Sequence, residues 1–326
     1  MNKIRFSIGL LALLAGSLCG CQMVEVNAPD GFAVSTEKAT FRAGQAVRFL
    51  LAGGNVDQVV FFSGEAGRRY EQRARTSGTG QNRLIFQSSM QQGVLPGIDS
   101  MRLLVSTNLA GYDAASVGSA RWTDITSRNT RWPTTLATTF ITSDSVNLND
   151  FASAGKVNVA FRFIGKKNET IAQRRWLIQN VTLVNTLADG TVTNLFNTFA
   201  NTGWVQTSLK NQSVAWNVGT AGISAANSLS NTSGSLIRTA YPITLEPGIA
   251  PNVDDNDDWL ISSVFDLKMV RPDVGITVKN AGANMPPAYL YTFARPGTYQ
   301  VTFVVMNRDV DTVKETTRQV QLTITP

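Results

Sequence analysis

The chain has no histidine, and its only two cysteines, Cys19 and Cys21, both lie within the first 21 residues. Beyond that point no disulfide, thiolate zinc site or cysteine nucleophile can form. The lack of histidine removes the commonest general base and the commonest transition-metal ligand, and it excludes a Ser-His-Asp triad. Charge is also sparse: 16% of residues are Asp, Glu, Lys or Arg, and the formal net charge is +6 over 326 residues. Lys3 and Arg5 supply two of those charges, and the remainder is scattered along the chain. No nucleic-acid partner is expected, because nucleic-acid binding needs basic residues gathered on one face. The one extended apolar run, Ile8 to Leu18, falls short of the roughly 20 residues a membrane-spanning helix needs. What remains for chemistry is carboxylates, Lys, Ser, Tyr and calcium.

The beginning of the chain has its own pattern. Lys3 and Arg5 give a positive start, the apolar run follows, and it ends in Leu18-Cys19-Gly20-Cys21. Those four residues resemble the lipobox of bacterial lipoproteins. The resemblance implies that residues 1–20 are a signal peptide and that Cys21 is the lipidation site, so that a membrane is one partner. Several acyl chains hold far better than one, each buried methylene adding about 0.8 kcal/mol.

From residue 32 onward the apolar residues recur with period two, broken by Gly, Asn, Asp, Pro and Ser clusters, which is the pattern of strands. Val157, Val159, Phe161 and Phe163 share one face; Tyr299, Val301, Phe303 and Val305 share another; Val320, Leu322 and Ile324 repeat it near the end. Strands with one polar face pack as sandwiches. The first part of the chain suggests strands near 32–34, 46–51 and 56–62, and the last part a closing hairpin over 289–324. Neither end has enough strands for a sandwich. The expected fold is therefore all-β, with a sandwich assembled from residues 21–81 and 263–326 and a second domain inserted over 82–262. Insertion at an exposed loop is tolerated where chain ends lie close together.

Tyr291 to Phe303 resembles the last strands of polycystic-kidney-type (PKD-like) immunoglobulin-fold modules. In the central block Trp122-Thr-Asp-Ile-Thr126, Val157 to Phe163, Trp176 to Val181 and Asp257 to Ser262 resemble the galactose-binding-like jelly rolls called cleaved-adhesin or choice-of-anchor domains. The whole chain is similar to a domain-of-unknown-function family of Bacteroidetes surface lipoproteins, with Phe62 to Tyr70, Arg73 and Arg75 as the most specific piece. That resemblance implies a glycan-binding accessory role beside Sus-type importers at the outer membrane. The segment Gln22-Met-Val-Glu25 is less acidic than the surface-export signals of such bacteria, so outer and periplasmic faces both stay open.

Several residues are candidates for ligand contact. If the chain stays extended past Gly64 to Gly67, then Arg69, Glu71, Arg73 and Arg75 share a face. They could grip an acidic sugar or an envelope protein, since Arg binds carboxylates bidentately. The plainer reading is an ion-pair ladder in which Glu65 and Glu71 neutralise some of the arginines. Asp254, Asn256 and Asp258 have the alternating spacing of calcium loops, but Trp259 and Phe265 stand where an EF-hand has Gly and Glu. A structural calcium and a solvated acidic turn are the two readings. Of six tryptophans, Trp132, Trp204 and Trp216 have polar surroundings and could stack on sugars. Trp176 and Trp259 sit in apolar patterns and read as core. Asp124, Asp144, Glu169 and Asp258 could serve a glycoside hydrolase, but no spacing links any two of them. The reading is a non-catalytic glycan-binding lipoprotein, with a structural docking protein and a carboxylate hydrolase as alternatives.

Overall fold

The computed structural model of the chain describes residues 26–94, 99–196, 203–217, 243–245 and 254–326. Cys21 lies outside the described residues. Within them the protein is all-β apart from one short α-helix, Ala114–Ser119 (α1), and three 3-10 turns. Two compact units are distinguished: the chain up to Glu65 together with Gly275–Pro326, and Ala66–Val274. The insert is therefore longer at both ends than the 82–262 read from sequence. The reason lies in the flanks, which pair with each other: Val270 N–H donates to Thr76 O at 2.9 Å, Gly78 N–H to Lys268 O at 2.8 Å and Asp273 N–H to Gln72 O at 3.2 Å.

The first unit takes β1 (Ala33–Thr36), β2 (Thr40–Arg42), β3 (Ala46–Ala52) and β4 (Gln58–Phe62) from the first part of the chain. Its other strands are β18 (Ile276–Lys279), β19 (Ala288–Thr292), β20 (Gly297–Arg308) and β21 (Val313–Thr325). One sheet has the order β1-β3-β19 and the other β18-β4-β20-β21-β2, so each mixes strands from both ends of the chain. All pairings are antiparallel except β2 with β21. Alternation decides which side chains meet between the sheets. Val301, Phe303 and Val305 are fully buried, as are Phe61 beside them in the same sheet and Phe49 on the facing one. The Phe303 ring lies 5.4 Å from Phe49 and 5.1 Å from Phe61. The turn from β3 to β4 requires glycine at Gly54, whose φ is +90° and whose Cβ would come within 2.7 Å of Asp30 O.

The second unit is a two-sheet sandwich. Its first strands are β5 (Gln81–Gln91), β6 (Asp99–Ser106), β7 (Trp122–Asp124), β8 (Ile141–Thr142) and β9 (Val146–Asn147). Next come β10 (Lys156–Gly165), β11 (Arg175–Thr186), β12 (Val192–Phe196) and β13 (Val205–Lys210). The last are β14 (Trp216–Asn217), β15 (Ile243–Leu245), β16 (Asn256–Ile261) and β17 (Phe265–Asp266). One sheet runs β13-β16-β10-β6-β7 with β17 on β10; the other runs β14-β15-β11-β5-β8 with β12 on β11 and β9 on β5. Val157, Val159, Phe161 and Phe163 of β10 are all fully buried in one core with Leu84, Phe86, Trp176 and Ile178 of the facing sheet. On the other side of β10, a smaller cluster of Leu104, Val117, Ala160, Trp259 and Ile261 forms where the segment containing α1 covers part of the outer face. Asp113 caps that helix by accepting from Ser116 N at 3.0 Å.

Because each unit has its own aromatic core, Phe161→Ala and Phe303→Ala should each cost about 3–5 kcal/mol. Calorimetry should show each substitution lowering a different unfolding transition. If both lower one shared transition equally, the cores do not unfold separately.

Candidate functional site

The outer face of the β13-β16-β10-β6-β7 sheet brings charged and aromatic side chains together. In β6 and β10, Arg102 and Arg162 sit directly opposite each other, and Arg162 is opposite Trp259 of β16. Like charges facing each other across a sheet are destabilising, and each guanidinium is taken up by its own carboxylate. Arg162 holds Asp257 through two bonds, Nε at 2.8 Å and Nη2 at 2.6 Å. Its guanidinium also lies 4.7 Å from the Trp259 ring. Arg102 reaches Asp124 by one contact of 3.2 Å, and their side chains are 48% and 44% exposed. Trp122, at the start of β7, packs on Trp259 with ring centroids 4.8 Å apart and stays half-exposed. Its Nε1 donates to Val117 O at 3.0 Å, which fixes the ring plane. Burial opposes ionisation of Asp124, but bonds from Thr126 and the Arg102 guanidinium outweigh it and hold the carboxyl below its ordinary value. The result is a charge-balanced strip of two guanidiniums, two carboxylates and the half-exposed Trp122 ring, with the buried Trp259 ring beneath it. Sequence reading had not singled out Arg102 or Arg162. The available signal was a single Arg at the centre of each of two otherwise apolar strands, Met101-Arg-Leu and Phe161-Arg-Phe.

The tryptophans chosen from sequence fare differently. Trp204 is 7% exposed and Trp216 is 2% exposed, both inside the core of the second unit. The expectation that they present a stacking face is corrected. The polar residues around them point outward while the rings turn in, and Trp216 Nε1 donates to Asp258 O at 3.2 Å. Trp132 is partly exposed but packs on Phe86 at 5.3 Å and Trp176 at 6.2 Å, with Nε1 bonded to Thr126 O. It borders the core and not the strip.

The arginines do not form an extended row. Gly64 and Gly67 take φ of +82° and +80°, and a 3-10 turn over Tyr70–Gln72 follows. The expected common face of Arg69, Glu71, Arg73 and Arg75 is thereby broken. Arg73 folds back on the Tyr70 ring, 3.8 Å from its centroid. Arg69 and Arg75 converge on Asp189, at 2.7 and 2.8 Å, and Arg75 also binds Asp273 at 3.0 Å. Arg75 Nη2 donates to Thr191 Oγ1 as well. The partners are thus aspartates distant in sequence rather than Glu65 and Glu71. Glu65 instead accepts from Tyr291 OH at 2.5 Å and Ser63 Oγ at 3.0 Å. Burial opposes ionisation of Asp189, but bonds from Arg75 and Thr191 dominate and bring its pKa down to about 2.

Asp254, Asn256 and Asp258 do not converge. Asp254 is exposed and pairs with Lys167 at 3.1 Å. Asn256 is buried, its Oδ1 accepting from Asn211 and its Nδ2 donating to Gln173. Asp258 is fully buried on the core side of β16. Among the described residues no group of three or more His, Cys, Asp and Glu side chains is placed to hold a metal ion. The alternating spacing that suggested a calcium loop belongs to a strand, whose pleat sends Asp257 to one face and Asn256 and Asp258 to the other.

A family model described as Domain of unknown function (DUF5017) matches residues 20–204. The match runs from the first unit into the second and includes Arg102, Trp122, Asp124 and Arg162 of the strip. No curated protein and no solved structure matches the chain.

The Asp189 network gives a directional expectation. Asp189→Asn should destabilise the protein by about 1.5–3 kcal/mol at neutral pH, the range for hydrogen bonds to charged groups. A depressed folded-state pKa stabilises above the unfolded value and is lost as pH falls through the folded one. The difference between the proteins should therefore shrink between pH 4 and about 2. Urea unfolding across that range measures it, and a difference that does not vary with pH would refute the assigned cause.

Proposed function

The chain belongs to the family of the Domain of unknown function (DUF5017), and we propose that this member is a non-catalytic, lipid-anchored protein that captures glycans at the outer membrane. The observation that carries this reading is the strip of Trp122, Arg102, Arg162, Asp124 and Asp257 on the outer sheet face, backed by the buried Trp259 ring. Sugars offer flat C–H faces that suit aromatic rings and hydroxyls that suit fixed charged donors and acceptors. Here the half-exposed Trp122 ring is braced by the buried Trp259 ring and the guanidiniums are oriented by their aspartates, so little ordering is left for binding to impose. The bacterial lipobox resemblance at Leu18 to Cys21 supports the lipid anchor. Similarity to Bacteroidetes surface lipoproteins supports a place beside Sus-type importers, on the cell surface.

The carboxylates support a binding role over hydrolysis. A glycosidase needs a proton-donating acid with a raised pKa at an accessible cleft. Asp124 and Asp144 are held below the ordinary range, Asp144 by bonds from the backbone and hydroxyl of Thr130. Among the described residues the carboxyl that is raised, Asp258, is sealed from solvent. The reading needs no cofactor; a structural calcium would have to act elsewhere than at Asp254, Asn256 and Asp258.

Binding of the chain from Gln22 onward to a glycan array, with and without calcium, tests the proposal. Saturable binding to one polysaccharide class is expected, weakened about tenfold or more by Trp122→Ala or Arg102→Ala, a loss of about 1.4 kcal/mol. Arg102 is exposed and its ion pair is weak, so Arg102→Ala should leave thermal stability nearly unchanged. Absence of saturable binding under both conditions would overturn the glycan reading.

A further inference from the structure

Asp258 faces the opposite way from its chain neighbours Asp257 and Trp259. Its side chain is fully buried between the sheets of the second unit, opposite Phe163 of β10 and Ser208 of β13. Ser208 Oγ lies 2.5 Å from Asp258 Oδ1 and 2.7 Å from Val214 O. A hydroxyl has one proton to give, and a carbonyl oxygen can only accept. If Ser208 gives its proton to Val214 O, the short contact with Asp258 must carry the carboxyl's own proton. If Asp258 is ionised instead, it consumes the Ser208 proton and Val214 O loses this donor. In that state Oδ2, which has no donor among the described residues, bears buried charge without compensation, which is far costlier than a neutral carbonyl in the same place.

We infer that Asp258 is held as the neutral acid and works as a pH-sensitive latch, passing its proton contact through Ser208 to Val214 and so fastening β13 and the turn before β14 to β16. Among the described residues the turn has no charged anchor: Asn211 bonds Asn256, Gln212 bonds Ser208 O and Ser213 bonds Asn211. Among the described residues, the charged groups nearby are engaged elsewhere. Asp257 and Arg162 pair with each other on the outer face, Lys210 opposite Asp257 reaches Asp255, and Asp99 at the end of β6 is bonded to Arg174 and Trp176. From the facing sheet, Trp176, Ile243 and Leu245 are apolar packing partners of the same core. Burial raises the Asp258 pKa, the Ser208 bond offsets part of that, and the Asp257 charge raises it again, to about 7. The sign follows directly. An acid whose folded pKa exceeds its unfolded value stabilises fully below the unfolded value, and that stabilisation is lost as pH rises through the folded one. The latch is closed in mildly acidic surroundings and released above neutrality. Since the same strand carries Asp257 and Trp259, release would loosen the backbone beneath the outer strip.

The experiment uses the chain from Gln22 onward, which contains every described residue, as wild type and as Asp258→Asn. Asn can donate to Ser208 Oγ but cannot ionise. Between pH 4 and about 7 the unfolding constant of the wild type should rise by up to about tenfold per pH unit relative to the variant. Hydrogen exchange in β13 and residues 211–216, corrected for intrinsic rate, should quicken above pH 7 in the wild type and not in Asp258→Asn. Identical pH profiles for the two proteins would overturn the inference. Should the variant fail to fold, selective 13C labelling of aspartate carboxyls in the wild type decides: a buried carboxyl titrating near 7 supports the latch, and no carboxyl titrating above 5 overturns it.

Discussion

The guanidinium of Arg75 holds the second unit closed at its base. The chain enters this unit through residues 66–80 and leaves it through 263–274, and the two flanks run side by side as a backbone-bonded pair. Hydrogen bonds between exposed flanks exchange readily with water. A bifurcated guanidinium bridging Asp189 and Asp273, with Arg69 sharing Asp189, adds charge-assisted bonds in a partly buried setting. Three separate pieces of chain are joined there: the incoming flank, the turn before β12 and the outgoing flank. Removing one partner would leave the others charged and poorly solvated, the expensive way to lose an ion pair.

With its base fixed in this way, the unit can hold two chemically different faces on single strands. In β10, Phe161 and Phe163 enter the core while Arg162 turns to the outer face; in β16, Asp258 and Leu260 enter the core while Asp257 and Trp259 turn to the outer face, where both are still buried under their neighbours. The strand pleat thus separates a neutral, buried acid from an ion-paired, partly exposed strip by the thickness of one backbone. Each side chain is kept in place by its neighbours on its own face. Position along β16 predicts little about a carboxyl's behaviour, and which face it occupies decides almost everything: Asp257 is paired with Arg162 and Asp258 is driven toward neutrality.

The period-two runs of β10, β20 and β21 were legible because burial on one face imposes the alternation directly. That the two ends of the chain share one sandwich followed from a shortage of strands at either end; the pairing of β4 with β20 and of β3 with β19 was not legible. The site was much less legible. Asp189 and Asp273 lie 114 and 198 residues from Arg75, and no local pattern announces an ion pair across such a distance. Glu65 and Glu71 were the obvious partners by proximity, and two left-handed glycines sent the chain elsewhere. Trp204 and Trp216 have polar neighbours because β13 and β14 are short edge segments, where only every second residue needs to be apolar. The acids at 254–258 imitate a metal loop in composition, whereas a strand splits them between faces. Local physics was readable, and the partners chosen by folding over long separations were not.

The discontinuity of the first unit also sets an order of events during synthesis. Its strands β1 to β4 are made early, but their partners β19, β20 and β21 follow only after residues 66–274. Until then β3 and β4 have unpaired edges, and Phe49 and Phe61 have no Phe303 to pack against. The inserted unit needs nothing made after Val274 to complete its own core, so it can finish first and bring its two flanks together. By doing so it converts a closure over some two hundred residues into one between neighbouring chain ends, cutting the entropy cost of closing the outer sandwich. The part of the protein made in the middle thereby serves as the assembly jig for the part made first and last.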